Sequence, residues 1–534
     1  MAVSQGAFSR KWILVLSGFF LAILAAGGFI AWRARHFDEL AREWIVRELS
    51  RRFSSGVELR TIRLSAFPDF SVAGEDLSIP YRNRADLPPL IHVDTFRFRL
   101  GLVGMLRLPK HIPSLTVTNL TITIPPRNER IPRSSGEQRP TKSVSGVVVD
   151  EIRCVDANLI VLSKDSRKEP LDWTIHNLAL RTVSLDKPFH FVGALTNAKP
   201  VGEIATEGDF GPWNLDDPGG TPVAGSFKFA NANLNPFPGI MGTLSSTGTF
   251  RGPLDELEVQ GQTDTPNFAL DPVGKPVALH TEYSATVDGT DGDTFLHPVR
   301  ATLVRSLILA HGKIVNVKGK GHDITLDVSA PAARIEDLLS LAMKSETPVM
   351  TGPAKIKARL YLPPGKVNVL QKLILDGQFG VDDAQWSSPE VREKLAALSR
   401  TAEGHPKEQD AGSAISDLRG GFHLEKGVIR FSQLSFSVPG AAIDLAGTYE
   451  IEGGAIDFKG HLRTQAKLSE MTTGVKSFFL KAFDPFFKKN GAGAELPITI
   501  SGTRDRVKFG VSVFHKTVKG QVSPQKEQKK GQND

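Results

Sequence analysis

Apolar and polar residues alternate with a period of two through most of this 534-residue chain, and that pattern limits what it can fold into. Phe96, Phe98, Leu100 and Leu102 alternate with Arg97, Arg99 and Gly101, and Leu120, Ile122 and Ile124 alternate with threonines. The same rhythm returns at Phe227 and Phe229, at Ile324, Leu326 and Val328, and at Ile356, Ala358, Leu360 and Leu362. Near the end come Ile443, Leu445, Gly447 and Tyr449, then Ile456 and Phe458. Successive side chains of a strand point to opposite faces, so each run predicts a strand with one apolar face and one wet face. With so few helical stretches between them, the runs predict a mainly β chain. A loose repeat of Gly-x-aromatic (Gly208 to Phe210, Gly225 to Phe227, Gly248 to Phe250, Gly377 to Phe379, Gly447 to Tyr449) suits strand starts or bulges. Its irregular spacing argues against a propeller.

Composition narrows the function classes. At 40% hydrophobic and 23% charged residues, wholesale disorder is excluded. The net charge of +7 is spread among mixed signs, which argues against a nucleic-acid partner. A single cysteine, Cys154, excludes an intramolecular disulfide and a cysteine metal cage. There is no Walker A, HExxH, GxSxG or complete GxGxxG motif. His297, His311 and His322 lack metal-ligand spacing, and the pairs Asp216-Asp217 and Asp382-Asp383 read as solvated turns. No catalytic residue, cofactor or metal is therefore expected, and an enzyme is the third choice.

Trp12 to Trp32 carries no charge, and its twenty-one residues give roughly 30 Å as a helix, the thickness of a bilayer core. The rival is a cleaved signal peptide, which has a shorter apolar region and a small-x-small site; here Trp32-Arg33 interrupts the exit. Arg10 and Lys11 before the segment, against Arg33, Arg35, Arg42 and Arg47 after it, leave the orientation open, because long domains are translocated regardless of local bias. Phe37 to Phe53 reads as an amphipathic helix with an apolar stripe of Leu40, Trp44, Ile45 and Leu49, packed under the first sheet or lying on a membrane. Ser388 to Arg400 reads as a capped helix burying Val391, Leu395 and Leu398. Leu468 to Phe487 is rich in phenylalanine and lysine; Phe478, Phe479, Phe483, Phe486 and Phe487 are candidates for contact with a membrane or partner, or for plugging the end of the sheet.

A sheet of this size must cover its apolar face. The helices are too few, so it either closes as sandwiches or curls into an apolar groove. Here the chain resembles the AsmA-like family, which includes TamB and the bridge-like lipid-transfer proteins. The carrying residues are, at the N-terminal end, Val57 to Leu64, Phe67 to Phe70, Val93 to Leu106 and Ile112 to Pro125. At the C-terminal end they are Leu395 to Gly404, Leu418 to Phe422, Gly427 to Pro439, Ala442 to Gly460 and Leu468 to Thr503. The closest piece runs from Phe478 through Asp484-Pro485-Phe486-Phe487 to Leu496-Pro497-Ile498-Thr499-Ile500-Ser501-Gly502-Thr503. Where the family continues with Pro, this chain has Arg504-Asp505-Arg506.

The resemblance implies one N-terminal transmembrane helix in a bacterial inner membrane, followed by a periplasmic, elongated, twisted antiparallel sheet curled into an apolar groove, with a few short amphipathic helices. The corresponding division is a cytoplasmic tip and anchor (1–36), a helix plus N-terminal β region (37–126), a linker or exposed loop (127–146), a central β-groove (147–385), a C-terminal β region with helices (386–510) and a disordered tail (511–534). Groove candidates are Phe96, Phe98, Leu100, Ile122, Ile124, Phe227, Phe229, Leu326, Val328, Ile356, Leu360, Ile443, Leu445, Ile456 and Phe458. The implied role is conducting phospholipid, or another acyl-chain lipid, or maintaining the outer membrane, with an outer-membrane protein as a further partner. A scaffold for outer-membrane protein assembly is the alternative. About 25 strands at roughly 4.8 Å each would reach on the order of 120 Å.

Overall fold

The alternating runs form strands, and among the described residues the strands join into one sheet of 27 in this computed structural model. The structure describes residues 38–65, 71–99, 110–126, 147–163, 165, 168–184, 186–198, 200–403, 416–466, 493–504, 506–513 and 516–519. The apolar segment 12–32, Leu100, Leu102, the loop 127–146 and the phenylalanines at 478, 479, 483, 486 and 487 lie outside the described residues. Among the described residues no helix is long and apolar enough to cross a membrane.

Sequence neighbours are sheet neighbours. From Glu58–Ser65, which pairs with Ser71–Ile79, to Arg506–Val513, which pairs with Lys516–Lys519, each long strand bonds the next. Almost every pairing is antiparallel, as short turns require. The exception is Val147–Val161, which runs parallel to Leu115–Ile124 and to the short Lys110–Ile112. A parallel step needs a long connection, and residues 127–146 supply it. Register shifts recur, for example between Phe229 and Ala232, Ala330 and Ala333, and Phe431 and Leu434. Such bulges bend a strand and increase its twist. Strand also extends where a disordered tail was expected: Val511 pairs with Val518 and Val513 with Lys516.

Strands take up 64% of the described residues, and the described helices cover little of the sheet. The helix at 38–53 closes the free edge of the first strand: the Asp38 carboxylate accepts from Leu64 N at 2.9 Å, and Arg42 Nη1 donates to Leu59 O at 3.2 Å. A strand edge left bare invites pairing with another chain. This clasp corrects the expected stripe. Ala41, Ile45 and Val46 pack against the core around Leu59, Val72 and Phe96, while Leu40 and Trp44 stay 61% and 49% exposed. Asp38 and Arg42, one turn apart, set which face turns inward.

The helix Pro389–Ala402 forms where the sequence predicted it. Ser388 caps Val391 N, and Leu398 and Ala402 pack against Val438, Ala441 and Leu462. Two short helices, Ile335–Leu339 and Val369–Lys372, were not foreseen. The buried apolar residues form separate clusters around the first strands, around Ala333 and Val381, around Leu370 and Leu424, and around Ala402 and Leu462.

Candidate functional site, the apolar face and its seam

Paired residues in a ladder point to the same side of a sheet, so the register shows which side chains share a face. One row can be followed without a break from the first strand to the twenty-sixth. It begins Leu64, Val72, Phe98, Leu115, Ile152, Leu180 and Phe191. It continues through Gly208, Gly225, Phe250, Val259, Ala285, Leu296, Gly312 and Leu326. It ends Leu360, Leu375, Leu424, Ile429, Tyr449, Ile456, Gly502 and Val507. No member is charged.

One residue along, the opposite face reads His311, Asp327, Arg359, Asp376, His423 and Arg430. These residues pair with each other: Arg359 Nε lies 3.1 Å from Asp327 and His423 Nδ1 lies 2.6 Å from Asp376. The Asp376 hydrogen bond raises the His423 pKa above its usual value. His297 sits on this face too, bonded to Thr286 at 2.9 Å.

Every described groove candidate faces the apolar side. Phe98 and Leu326, Leu360 and Ile456 lie in the row above; Phe96, Phe227, Val328 and Phe458 lie in the next. Ile122 and Ile124, Phe229, Ile356, and Ile443 with Leu445 fill the rows around them. Their burial is uneven. Phe96, Ile124, Leu445 and Phe458 are buried, whereas Phe98, Phe227, Phe229, Leu326, Val328, Ile356, Leu360, Ile443 and Ile456 are only half-buried. Facing sheets in a sandwich interdigitate and bury such positions; here the inner positions between the clusters remain accessible.

The glycines of the loose repeat acquire a reason. Phe227 lies over Gly248 of the adjacent strand, and a Cβ at 248 would come within 2.8 Å of its ring and 2.5 Å of Gln260 O. At Gly377 a Cβ would come within 2.9 Å of Phe422 and 2.6 Å of Lys357 O. Glycine lets the neighbouring ring lie flat on the sheet. Gly248→Ala should therefore destabilise the full chain by about 1–3 kcal/mol, read as a lower denaturant midpoint with unchanged slope.

Two ionisable side chains on the apolar face have shifted pKa values. Burial pushes the Cys154 thiol up to about 12, and burial raises the Tyr283 hydroxyl. Both shifts favour the neutral form, as a low-dielectric surface requires.

The sheet does not run flat. Tyr81 and Arg82 sit in a turn at one end of the strands; Asp216 sits in a turn at the opposite end, six strands further along the ladder. The Tyr81 hydroxyl nevertheless donates to Asp216 O at 2.7 Å, and Arg82 meets the Asp216 carboxylate at 2.5 Å. Phe53 and Trp213 stack edge to face beside them, with Trp213 Nε1 buried and without a hydrogen-bond partner among the described residues. Seven strands separate the next such pair: Lys168 Nζ reaches Asp293 at 2.6 Å and Asp291 at 3.1 Å. Seven strands also separate Val369 from Pro238, where Val369 N donates to Pro238 O at 2.8 Å, and five separate Asn368 from Asp271, where Asn368 Nδ2 donates to Asp271 O at 3.3 Å. Each contact joins a turn at one end of the strands to a turn at the other, so the sheet coils and its two rims of turns meet along a seam. Asp216 was read from sequence as a solvated turn; it lies in a turn with its side chain 74% exposed, and what the sequence did not show is its pairing with Arg82, while Asp217 caps the turn Pro218–Gly220. Nothing local in the sequence marks Lys168, Asp291 or Asp293 as partners.

No family model matches the chain, and no match is found among curated proteins or solved structures.

Proposed function

We propose that this is an AsmA-like envelope protein, anchored in a bacterial inner membrane by residues 12–32, whose periplasmic sheet coils around an apolar lumen that holds and conducts phospholipid. The observation that carries the reading is the unbroken uncharged row across the sheet, together with the accessibility of most of its members; Val72, Ala285 and Leu424 are buried. A monomer rarely leaves an apolar surface of this extent against water. An acyl chain laid along it removes that cost: each buried methylene contributes ~0.8 kcal/mol, so a sixteen-carbon chain contributes on the order of 12 kcal/mol before losses.

Coil geometry sets the scale. Seven strands at ~4.8 Å span about 33 Å, and a ten-residue strand is about as long. If the two rims of turns meet after that interval, the strands tilt about 45° and the wall closes on a circumference of roughly 47 Å, about 15 Å across. Barrels of that width hold packed side chains or one slender ligand, which fits one or two acyl chains and leaves the polar headgroup to the seam or the ends. Coiling also shortens the reach from about 120 Å to about 85 Å, since each strand then advances only ~3.4 Å along the axis. A partner at the far end fits that length.

The scaffold reading needs a bare sheet edge for strand addition. At the first strand that edge is occupied by Asp38 and Arg42, which favours the lipid reading. The test is the phospholipid retained by the full chain after detergent exchange and gel filtration. At least one phospholipid per chain is expected; a folded chain that retains none contradicts the proposal.

A further inference from the structure

We propose that the outward stripe of the helix at 38–53, led by Leu40 and Trp44, inserts into the headgroup region of a phospholipid bilayer and seats the first edge of the sheet against it. The inference rests on the anchor in the proposed function. The apolar segment ends at Trp32, and Leu40 follows eight residues later, at most about 29 Å away even if fully extended. The inward face of the helix is already committed, through Ala41, Ile45 and Val46 on the core and through the Asp38 and Arg42 bonds to the first strand. That rigid attachment leaves Leu40 and Trp44, four residues apart on one stripe, 61% and 49% exposed. A tryptophan and a leucine displayed beside a membrane anchor match the amphipathic ring and aliphatic chain that favour the interface.

Charge identifies the occupant further. The helix carries four acidic and four basic residues, so it offers no net attraction for anionic headgroups. Insertion is therefore apolar, and neither salt nor anionic lipid should strengthen it. Its consequence is positional: the helix that holds the first strand's edge also holds it at the bilayer, placing the start of the lumen where lipid enters.

The test attaches the environment-sensitive fluorophore NBD to Leu40→Cys in the full chain, reconstituted in phosphatidylcholine vesicles. The native thiol at 154 is buried and protonated up to about pH 12, so the wild-type chain serves as an unlabelled control, and Arg300→Cys on the polar face reports water. Emission at position 40 should be about threefold or more above that at 300. It should be quenched by nitroxide lipids and stay unchanged between 0.05 and 0.5 M salt, as an apolar contact would. Trp44→Ser should lower the signal towards the control while the chain stays with the vesicles. Emission at 40 equal to that at 300 in a vesicle-bound chain would overturn the inference and leave the anchor standing. A chain that does not float with vesicles would overturn both.

Discussion

Leu360→Asp should cost the full chain at least about tenfold of its retained phospholipid, while Lys357→Asp, three residues away, should cost nothing measurable. Leu360 sits mid-row between Leu326 and Leu375 and is half-buried; Lys357 is exposed on the polar face. A carboxylate on the apolar face must be hydrated, and stripping it of water costs several kcal/mol or forces it to protonate. The column of acyl chain would then be broken by water at one level of the lumen. Because the side chain is accessible, it need not unfold the sheet, so loss of lipid with an unchanged denaturant midpoint is the expected pair of results. Loss of both together would mean that position 360 is a packed core site, and a closed sandwich would describe the sheet better.

Lys168→Met should open the seam. Its ammonium group holds Asp291 and Asp293, whose side chains are 5% and 24% exposed, and Asp293 also accepts from Asn316 N at 3.0 Å. Removing one partner of a buried pair leaves the other charge uncompensated, at a cost of about 3–5 kcal/mol. Hydrogen exchange at the turn 288–293 should accelerate accordingly, and Asp291→Asn with Asp293→Asn in the same chain should restore most of the protection. Burial alone would lower the Lys168 pKa, but the two carboxylates outweigh it and the net shift is upward. The bridge is therefore at full strength below the ordinary lysine value near 10.4 and is lost as pH rises through the higher folded-state value. The seam should loosen in strong base and be indifferent to pH around neutrality. Unchanged exchange in the methionine variant would mean that the coil does not depend on this bridge.

What was legible in the sequence follows from the range of the forces involved. Alternation is local, so Phe227, Leu326, Leu360 and Ile443 were recognisable as members of one face from their neighbours two residues away. The continuity of that face was not, because register depends on hairpin geometry and on bulges such as those at Phe229 and Phe431, which leave no sharp local mark. The helix at 38–53 was read correctly as amphipathic but its stripe was misassigned: periodicity admits Leu40 and Trp44 as core, and only the hydrogen bonds from Asp38 and Arg42 to the first strand decide otherwise. The seam was invisible altogether. Lys168, Asp216 and Asp291 lie in polar turns like any others, and their pairing exists only because the sheet coils.

Photo-crosslinking along the strand Pro353–Leu362 tests the central claim most directly. Benzoylphenylalanine placed at 356, 358 or 360, and in parallel at 355, 357 or 359, probes opposite faces through single-residue steps. With the full chain in membranes carrying phosphate-labelled phospholipid, the apolar lumen predicts labelled adducts at 356, 358 and 360 and none at 355, 357 and 359. Adducts at neither set, or equally at both, would contradict it.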